Sequence, residues 1–288
     1  MNVLVTGGNG QLGQTFRSIE KSPELHFVYT DMKPGEDVCS LDITDPSAIS
    51  KVLADNNIDV VLNFAAYTDV ERAESEPELA FKVNAEAVGY LADAVRDSGA
   101  TLIHISTDYV FDGRADEPYG EDAEPAPLSA YGRSKLAGER ALLASGCRSI
   151  LIRTSWLYSP YAKNFVKTIL SKGAELKALK VVSDQVGSPT FAGDLAEFIL
   201  TILTPENIQK TGVYNFTDEG VCSWYDLAAE ACLVAGVNCV VSPCKTGEYP
   251  VKAERPMYSV LDKSKAKDTF GVCIPHWKDS LRRCIGMM

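Results

Sequence analysis

The stretch NVLVTGGNGQLGQ, residues 2–14, carries a short β-branched apolar run straight into Gly7, Gly10 and Gly13 at GxxGxxG spacing. Glycines at the end of such a run allow a tight turn and let backbone N–H groups approach a pyrophosphate. They deliver it to a helix N-terminus, where the helix dipole favours an anion. By themselves glycines at this spacing make only a turn. A strand before them and a helix after them make a dinucleotide site the expected reading.

Four further runs of the same kind follow: HFVYT (26–30), DVVLNFA (59–65), TLIHIS (101–106) and SILIRT (149–154). Each is continuously apolar, as strands buried on both faces of a parallel sheet are. Between the third and fourth lies PELAFKVNAEAVGYLADAVRDSG, in which Leu79, Val83, Ala87, Leu91, Ala94 and Val95 recur three and four apart and Gly99 closes the segment. That spacing predicts an amphipathic helix with a glycine stop. Strand and helix repeated in this order predict an α/β chain with right-handed crossovers, a Rossmann-type doubly wound parallel sheet over residues 1–155. After residue 155 the pattern loosens into NFVKTILSKG, AGDLAEFILTIL, GVYNF, SWYDLAAEACLVAG and HWKDSLRRCIG. These pieces are too few for a second independent sheet. Residues 156–288 therefore read mainly as a smaller α/β substrate lobe over the carboxyl edge of the sheet, with later strands and helices returning to the first part.

The formal net charge of −11 argues against nucleic acid or an anionic membrane as partner. An anionic ligand must then be held locally, by helix N-termini and a few basic side chains. The eight cysteines are scattered without a CxxC pair, and the three histidines fit no zinc pattern, so free thiols in a reducing compartment and no metal site are expected. No apolar run approaches the ~20 residues of a membrane helix, and the N-terminus lacks a signal-peptide pattern, which points to the cytoplasm.

Candidate site residues fall at the carboxyl ends of the strands, where open α/β sheets bind ligands. Asp31 stands 18 residues past Gly13, placed to bond a ribose 2′-hydroxyl and repel a 2′-phosphate. Lys33, two residues on, would instead pair with that phosphate, so the nucleotide is NADH or NADPH, with NADH favoured. Asp31 also suits a plain turn before Lys33-Pro34-Gly35. Asp42 is placed towards the adenine, and Ala65 and Ala66 leave room for a cofactor beside the backbone. The fourth run ends in Ser106-Thr107-Asp108-Tyr109. Beyond the helix-breaking PAPLSA, Ser129 is a candidate cap, and the i, i+4 spacing of Tyr131 and Lys135 puts both on one helix face. A tyrosine with an ordinary pKa of about 10 needs a neighbouring cation to serve as a general acid, and an ammonium four residues on supplies one.

The glycine loop, Thr107 and Tyr131-x-x-x-Lys135 resemble the extended short-chain dehydrogenase/reductase family. More narrowly, NFAAYTDVERAESEPELAFKVNAEA, HISTDYVFDG, YGRSKLAGE, RTSWLYSPYAKNF, VVSDQVGSPT and SWYDLA are similar to the dTDP-4-dehydrorhamnose reductase family, to about residue 262. The resemblance implies an NAD(P)H-dependent oxidoreductase acting on a dTDP-sugar. Tyr131 would then be the proton donor, Lys135 its partner and ribose clamp, Thr107 the second hydrogen-bond donor, and Asn84 the support of a water relay near the lysine. Gly10, Gln11 and Leu12 would face the pyrophosphate, Asp42 and Ile43 the adenosine, and Ala65, Ala66 and Tyr67 the middle of the dinucleotide. Asp108 and Trp156 would contact the sugar and Arg255 a diphosphate oxygen. Trp156 also suits a core tryptophan, and Arg255 a surface ion pair. Tyr258 stands where the family pattern has asparagine. A nucleotide-sugar epimerase or dehydratase shares the same residues, and a non-catalytic regulatory subunit like that of methionine adenosyltransferase resembles the family as well. The resemblance is compatible with a homodimer, and a Mg²⁺ requirement, as in parts of the family, is not readable from these residues.

Overall fold

In the computed structural model, which describes residues 1–19, 22–249 and 251–288, the chain begins with β1 (Asn2–Thr6), α1 (Gln11–Ile19), β2 (His26–Asp31) and a two-residue β3 (Cys39–Ser40). There follow α2 (Pro46–Asp55), β4 (Val60–Asn63), the short α3 (Val70–Ala73) and α4 (Pro77–Phe81), α5 (Ala87–Ser98), β5 (Thr101–Thr107), α6 (Ala130–Ala144) and β6 (Arg148–Thr154). The second part adds β7 (Leu157–Tyr158), α7 (Phe165–Leu176), β8 (Ala178–Val182), β9 (Val186–Gly187), β10 (Thr190–Phe191), α8 (Ala192–Ile202) and β11 (Gly212–Asn215). It closes with β12 (Cys222–Ser223), α9 (Trp224–Val234), β13 (Val240–Cys244), α10 (Ser264–Phe270) and α11 (Trp277–Gly286).

Seven parallel strands form the main sheet in the order β11-β6-β5-β4-β1-β2-β3. The chain runs outward from β1 in one direction through β2 and β3, then in the other through β4, β5 and β6. The reversal leaves a crevice beside β1 at the carboxyl ends, which is where such sheets take ligands. One face packs Val3, Val5, Leu62, Ile103 and Ile152 against Phe16 of α1 and Leu195 and Ile199 of α8. The opposite face packs Leu4, Val61, Leu102 and Leu151 against Ile49 and Leu53 of α2 and Val88 and Leu91 of α5. The GVYNF segment supplies β11, which pairs with β6 at the edge of the main sheet. The second part's own pieces form small sheets, of which β8 with β13 is the longest, under α7 and α9.

Local chemistry sets the helix ends. Asp45 caps α2 ahead of Pro46, Ser129 accepts from the Gly132 N–H at 3.1 Å to cap α6, and Ser223 with Asp226 forms a reciprocal capping box on α9. The helix expected across 77–99 ends at Gly99 in the left-handed region, φ 77°, but it is not uniform. A π-helical turn over Lys82–Glu86 inserts an extra residue between α4 and α5. This turn carries Asn84 and brings its backbone against α6 so closely that a Cβ on Gly138 would lie 2.0 Å from the Asn84 carbonyl oxygen. Among the described residues no helix is long and apolar enough to cross a membrane.

Candidate active site

A cavity of about 910 Å³ runs from the glycine loop, along the carboxyl edge of the sheet, to β8 and the segment around Thr246–Arg255. Gly7, Gly10, Gln11 and Leu12 line one end. Helix α1 starts at Gln11, so its leading N–H groups have no preceding turn to bond. The buried Gln11 Oε1 has no partner, while its Nε2 donates to the Leu157 carbonyl at 3.0 Å. Gly13 does not line the cavity. It lets α1 approach the loop, because a Cβ there would fall 2.3 Å from the Gly7 oxygen. Asp31 lines the cavity and accepts from the Asn9 N–H at 3.1 Å, which ties the acidic strand end to the glycine loop. Asp42 and Ile43 line it as well, and Asp42 accepts from the Thr44 N–H and hydroxyl at 2.8 Å. Free helix-end donors, an orphaned amide oxygen and a carboxylate beyond them fit the pyrophosphate and ribose of a dinucleotide.

Along the middle, Ala65, Ala66, Thr107, Asp108, Tyr131, Lys135 and Trp156 line the cavity together. Tyr131 and Lys135 are buried, at 9% and 2% exposure, although their neighbours in sequence are small and charged. Tyr131 sets its ring edge-on to Tyr109, with centroids 5.5 Å apart. Burial pushes the Tyr131 phenol up to about 12, against a hydrogen bond with Thr107 that pulls it down. The i, i+4 spacing alone predicts that the lysine draws the phenol down. In the folded chain desolvation outweighs any such effect, and the phenol keeps its proton. Burial also pushes the Lys135 ammonium down to about 8, against the Glu139 carboxylate, which favours the charged form. Lys135 Nζ donates to the Ile105 carbonyl at 2.7 Å. Asp108 is raised to about 7 by burial, with hydrogen bonds from Ser259 and Thr107 opposing.

Two other expected residues, Asn84 and Tyr67, lie outside the lining. Asn84 does not line the cavity. Its Oδ1 accepts from the Tyr67 N–H at 2.8 Å and its Nδ2 donates to the Tyr67 carbonyl and the Ser134 hydroxyl, so it clasps the segment after β4 onto α6. Tyr67 itself is outside the lining, with its hydroxyl donating to Glu76 at 3.0 Å. Trp156, at φ 50°, stacks on Trp224 with centroids 3.6 Å apart, and both rings line the cavity. Arg255 lines the far end but is paired with Glu71 at 2.5 Å, the ion-pair role open to it from the start. Tyr258 lies off the cavity and packs towards Tyr119, so the departure from the family pattern does not touch the lining. Lys180, Gln185, Trp224, Thr246 and Tyr249 also line the far end. Only Gln185 and Trp224 fall within strings that carried the resemblance. The other three come from segments with no local motif.

Comparison with known proteins matches the whole chain, residues 1–288, to the family described as RmlD substrate binding domain. A dTDP-4-dehydrorhamnose reductase of Aggregatibacter actinomycetemcomitans is 37% identical over 289 residues, covering 97% of each chain. The solved structure of a dTDP-4-dehydrorhamnose reductase of Clostridium acetobutylicum is 40% identical, with a TM-score of 0.92 over 100% of this chain and 99% of that one. That of Bacillus anthracis, solved in complex with NADP, is 35% identical with the same TM-score of 0.92 and the same coverage.

Proposed function

The chain belongs to the dTDP-4-dehydrorhamnose reductase family, and from that membership we propose that it reduces the C4 carbonyl of dTDP-4-dehydro-6-deoxy-L-mannose to give dTDP-L-rhamnose, with NAD(P)H as reductant. The observation that carries the reading is the convergence of Thr107, Tyr131 and Lys135 on the cavity that also exposes the glycine loop. Reduced nicotinamide supplies the hydride when bound. Tyr131 holds the proton that the C4 oxygen takes, and its high pKa keeps that proton in place until the oxygen becomes strongly basic. Thr107 supplies the second hydrogen bond to that oxygen and polarises the carbonyl. Lys135 Nζ, fixed by the Ile105 carbonyl, clamps the ribose hydroxyls. Gly10, Gln11 and Leu12 hold the pyrophosphate, and Asp42 and Ile43 the adenosine. Asp108 and the flat Trp156 ring hold the sugar. Arg255, neutralised by Glu71, orders the far wall rather than grasping a diphosphate on its own.

NADH is the preferred cofactor in this reading. Asp31 is in the cavity wall and disfavours a 2′-phosphate, whereas Lys33 is outside it. Residues 156–288 supply most of the substrate side. The test is purified protein with enzymatically generated dTDP-4-dehydro-6-deoxy-L-mannose, following the absorbance of NADH and NADPH in parallel. Cofactor oxidation that depends on the sugar nucleotide is expected. Cofactor binding with no oxidation would overturn the reductase and leave the epimerase or the binding subunit.

A further inference from the structure

On the sheet face that carries α2 and α5, Leu4, Val61 and Leu102 make a buried apolar tier. Two residues further along each strand the tier becomes polar, with Thr6, Asn63 and His104 at 1%, 1% and 0% exposure. The three are neighbours by register, Thr6 beside Asn63 and Asn63 beside His104. Polar side chains buried in a sheet core are costly unless each finds a partner. Here each partner is the next in line. The Ala65 N–H donates to Thr6 Oγ1 at 3.3 Å, and the Thr6 hydroxyl donates to Asn63 Oδ1 at 2.6 Å. Asn63 Nδ2 lies 3.0 Å from His104 Nδ1, and His104 Nε2 lies 3.5 Å from Lys135 Nζ.

The chain of bonds has one direction. The Thr6 hydroxyl accepts from Ala65 and gives its single hydrogen to Asn63 Oδ1, which turns the Asn63 NH₂ onto His104 Nδ1. Burial and the Lys135 charge push the His104 pKa well below its ordinary value, so the ring is neutral. A neutral imidazole that accepts at Nδ1 carries its hydrogen on Nε2. The hydrogen then sits on the ring nitrogen that lies 3.5 Å from Lys135 Nζ. It is attracted to the lone pair of an amine and opposes the hydrogens of an ammonium.

We propose that His104 is a positioning residue, the end of a Thr6–Asn63–His104 ladder that fixes Lys135 Nζ in the cavity wall and favours its unprotonated form. Glu139, four residues on along α6 and itself paired to Arg153 of β6, favours the ammonium. Tyr131, four residues back, is a neutral phenol. The charge of Lys135 is thus set between a carboxylate on its own helix and an imidazole N–H from β5, within a desolvated site.

The first test needs no activity. Full-length protein labelled with ¹⁵N-histidine contains three histidines, and the His104→Gln variant identifies the resonances of His104. Expected is the Nε2–H tautomer, unchanged across neutral pH. An Nδ1–H tautomer or an imidazolium would overturn the ladder. The second test rests on the reading of Lys135 as the ribose clamp. The pH at which NADH affinity is lost on the alkaline side should rise by about one unit in His104→Phe, a tenfold change in proton affinity. It should stay near the original in His104→Gln, whose amide keeps a donor towards Lys135. An unmoved midpoint in His104→Phe, or the same shift in both variants, would overturn the proposal. NADH binding at no pH would instead refute the cofactor assignment, and the tautomer would then decide the ladder.

Discussion

The Thr107 hydroxyl donates to Asp108 Oδ1 at 3.0 Å, so the proposed second hydrogen-bond donor is tethered to a buried carboxyl that burial pushes up to about 7. As a carboxylate, Asp108 holds the Thr107 hydrogen firmly. As a neutral acid it releases that hydrogen to the substrate oxygen. The rate should therefore fall as pH rises through about 7. Asp108→Asn should flatten that limb of the kcat/KM profile, while Thr107→Val should lower kcat by about 10² below pH 7 and by less above it, where the parent has already lost that hydrogen bond. The same carboxyl bears on stability. Its folded pKa is raised from 3.8 to about 7, so the folded chain binds the extra proton in that window and loses stability as pH increases across it. Urea titrations at a series of pH values should show a larger loss in the parent than in Asp108→Asn, where the raised Asp218 carboxyl still contributes.

Replacing the proposed proton donor separates chemistry from binding. Tyr131→Phe retains the ring that packs against Tyr109 and removes the hydroxyl. Expected is a kcat lower by about 10² or more with cofactor affinity nearly unchanged, read from steady-state rates and NADH fluorescence titration. An unchanged kcat would remove Tyr131 from the mechanism.

Glu139 and Arg153 are 1% and 5% exposed at the side chain and paired at 2.7 Å, and the Arg153 guanidinium also donates to the Glu121 carbonyl. This pair joins the middle of α6 to β6 behind Lys135. Glu139→Gln leaves a buried guanidinium without its counter-charge, and removing one member of a buried pair costs about 3–5 kcal/mol. Thermal and urea unfolding should register a loss of that size. A change under about 1 kcal/mol would mean that the pair is solvated.

What the sequence made legible was local. The glycine loop, the Ser129 cap and the Tyr131–Lys135 spacing each lie within a few residues; Ser129 caps α6, and Gly7, Gly10, Tyr131 and Lys135 line one cavity. The π-helical turn at Lys82–Glu86 escaped because its heptad-like apolar pattern is that of an ordinary helix. Arg255 and Glu71 are far apart in sequence, and nothing local to either pairs them. His104 read simply as one member of the apolar run TLIHIS. Its position under Lys135 follows from strand register and from the seat of α6, neither of which is written in adjacent residues.

Cofactor choice can be tested at one position. Asp31 meets the glycine loop through the Asn9 N–H, and its other oxygen accepts from the Lys33 N–H at 3.4 Å. Asp31→Ser should raise the ratio of kcat/KM for NADPH over NADH by about tenfold, the 1.4 kcal/mol scale of one charge contact. A ratio that does not move would show that this carboxylate does not select the nucleotide.

The return of β11 to the main sheet, with α8 and α10 behind it, decides how the chain unfolds. Phe16 and Ile103 from the first part share one core with Ile199, Tyr214 and Phe270 from the second. A fragment ending at residue 155 would carry a sheet stripped of one edge strand and of much of one apolar face. It should be insoluble or molten, and the whole chain should melt in a single cooperative transition. The parts before and after residue 155 are therefore one folding unit, and the division of labour we propose between them is one that the unfolding equilibrium does not see.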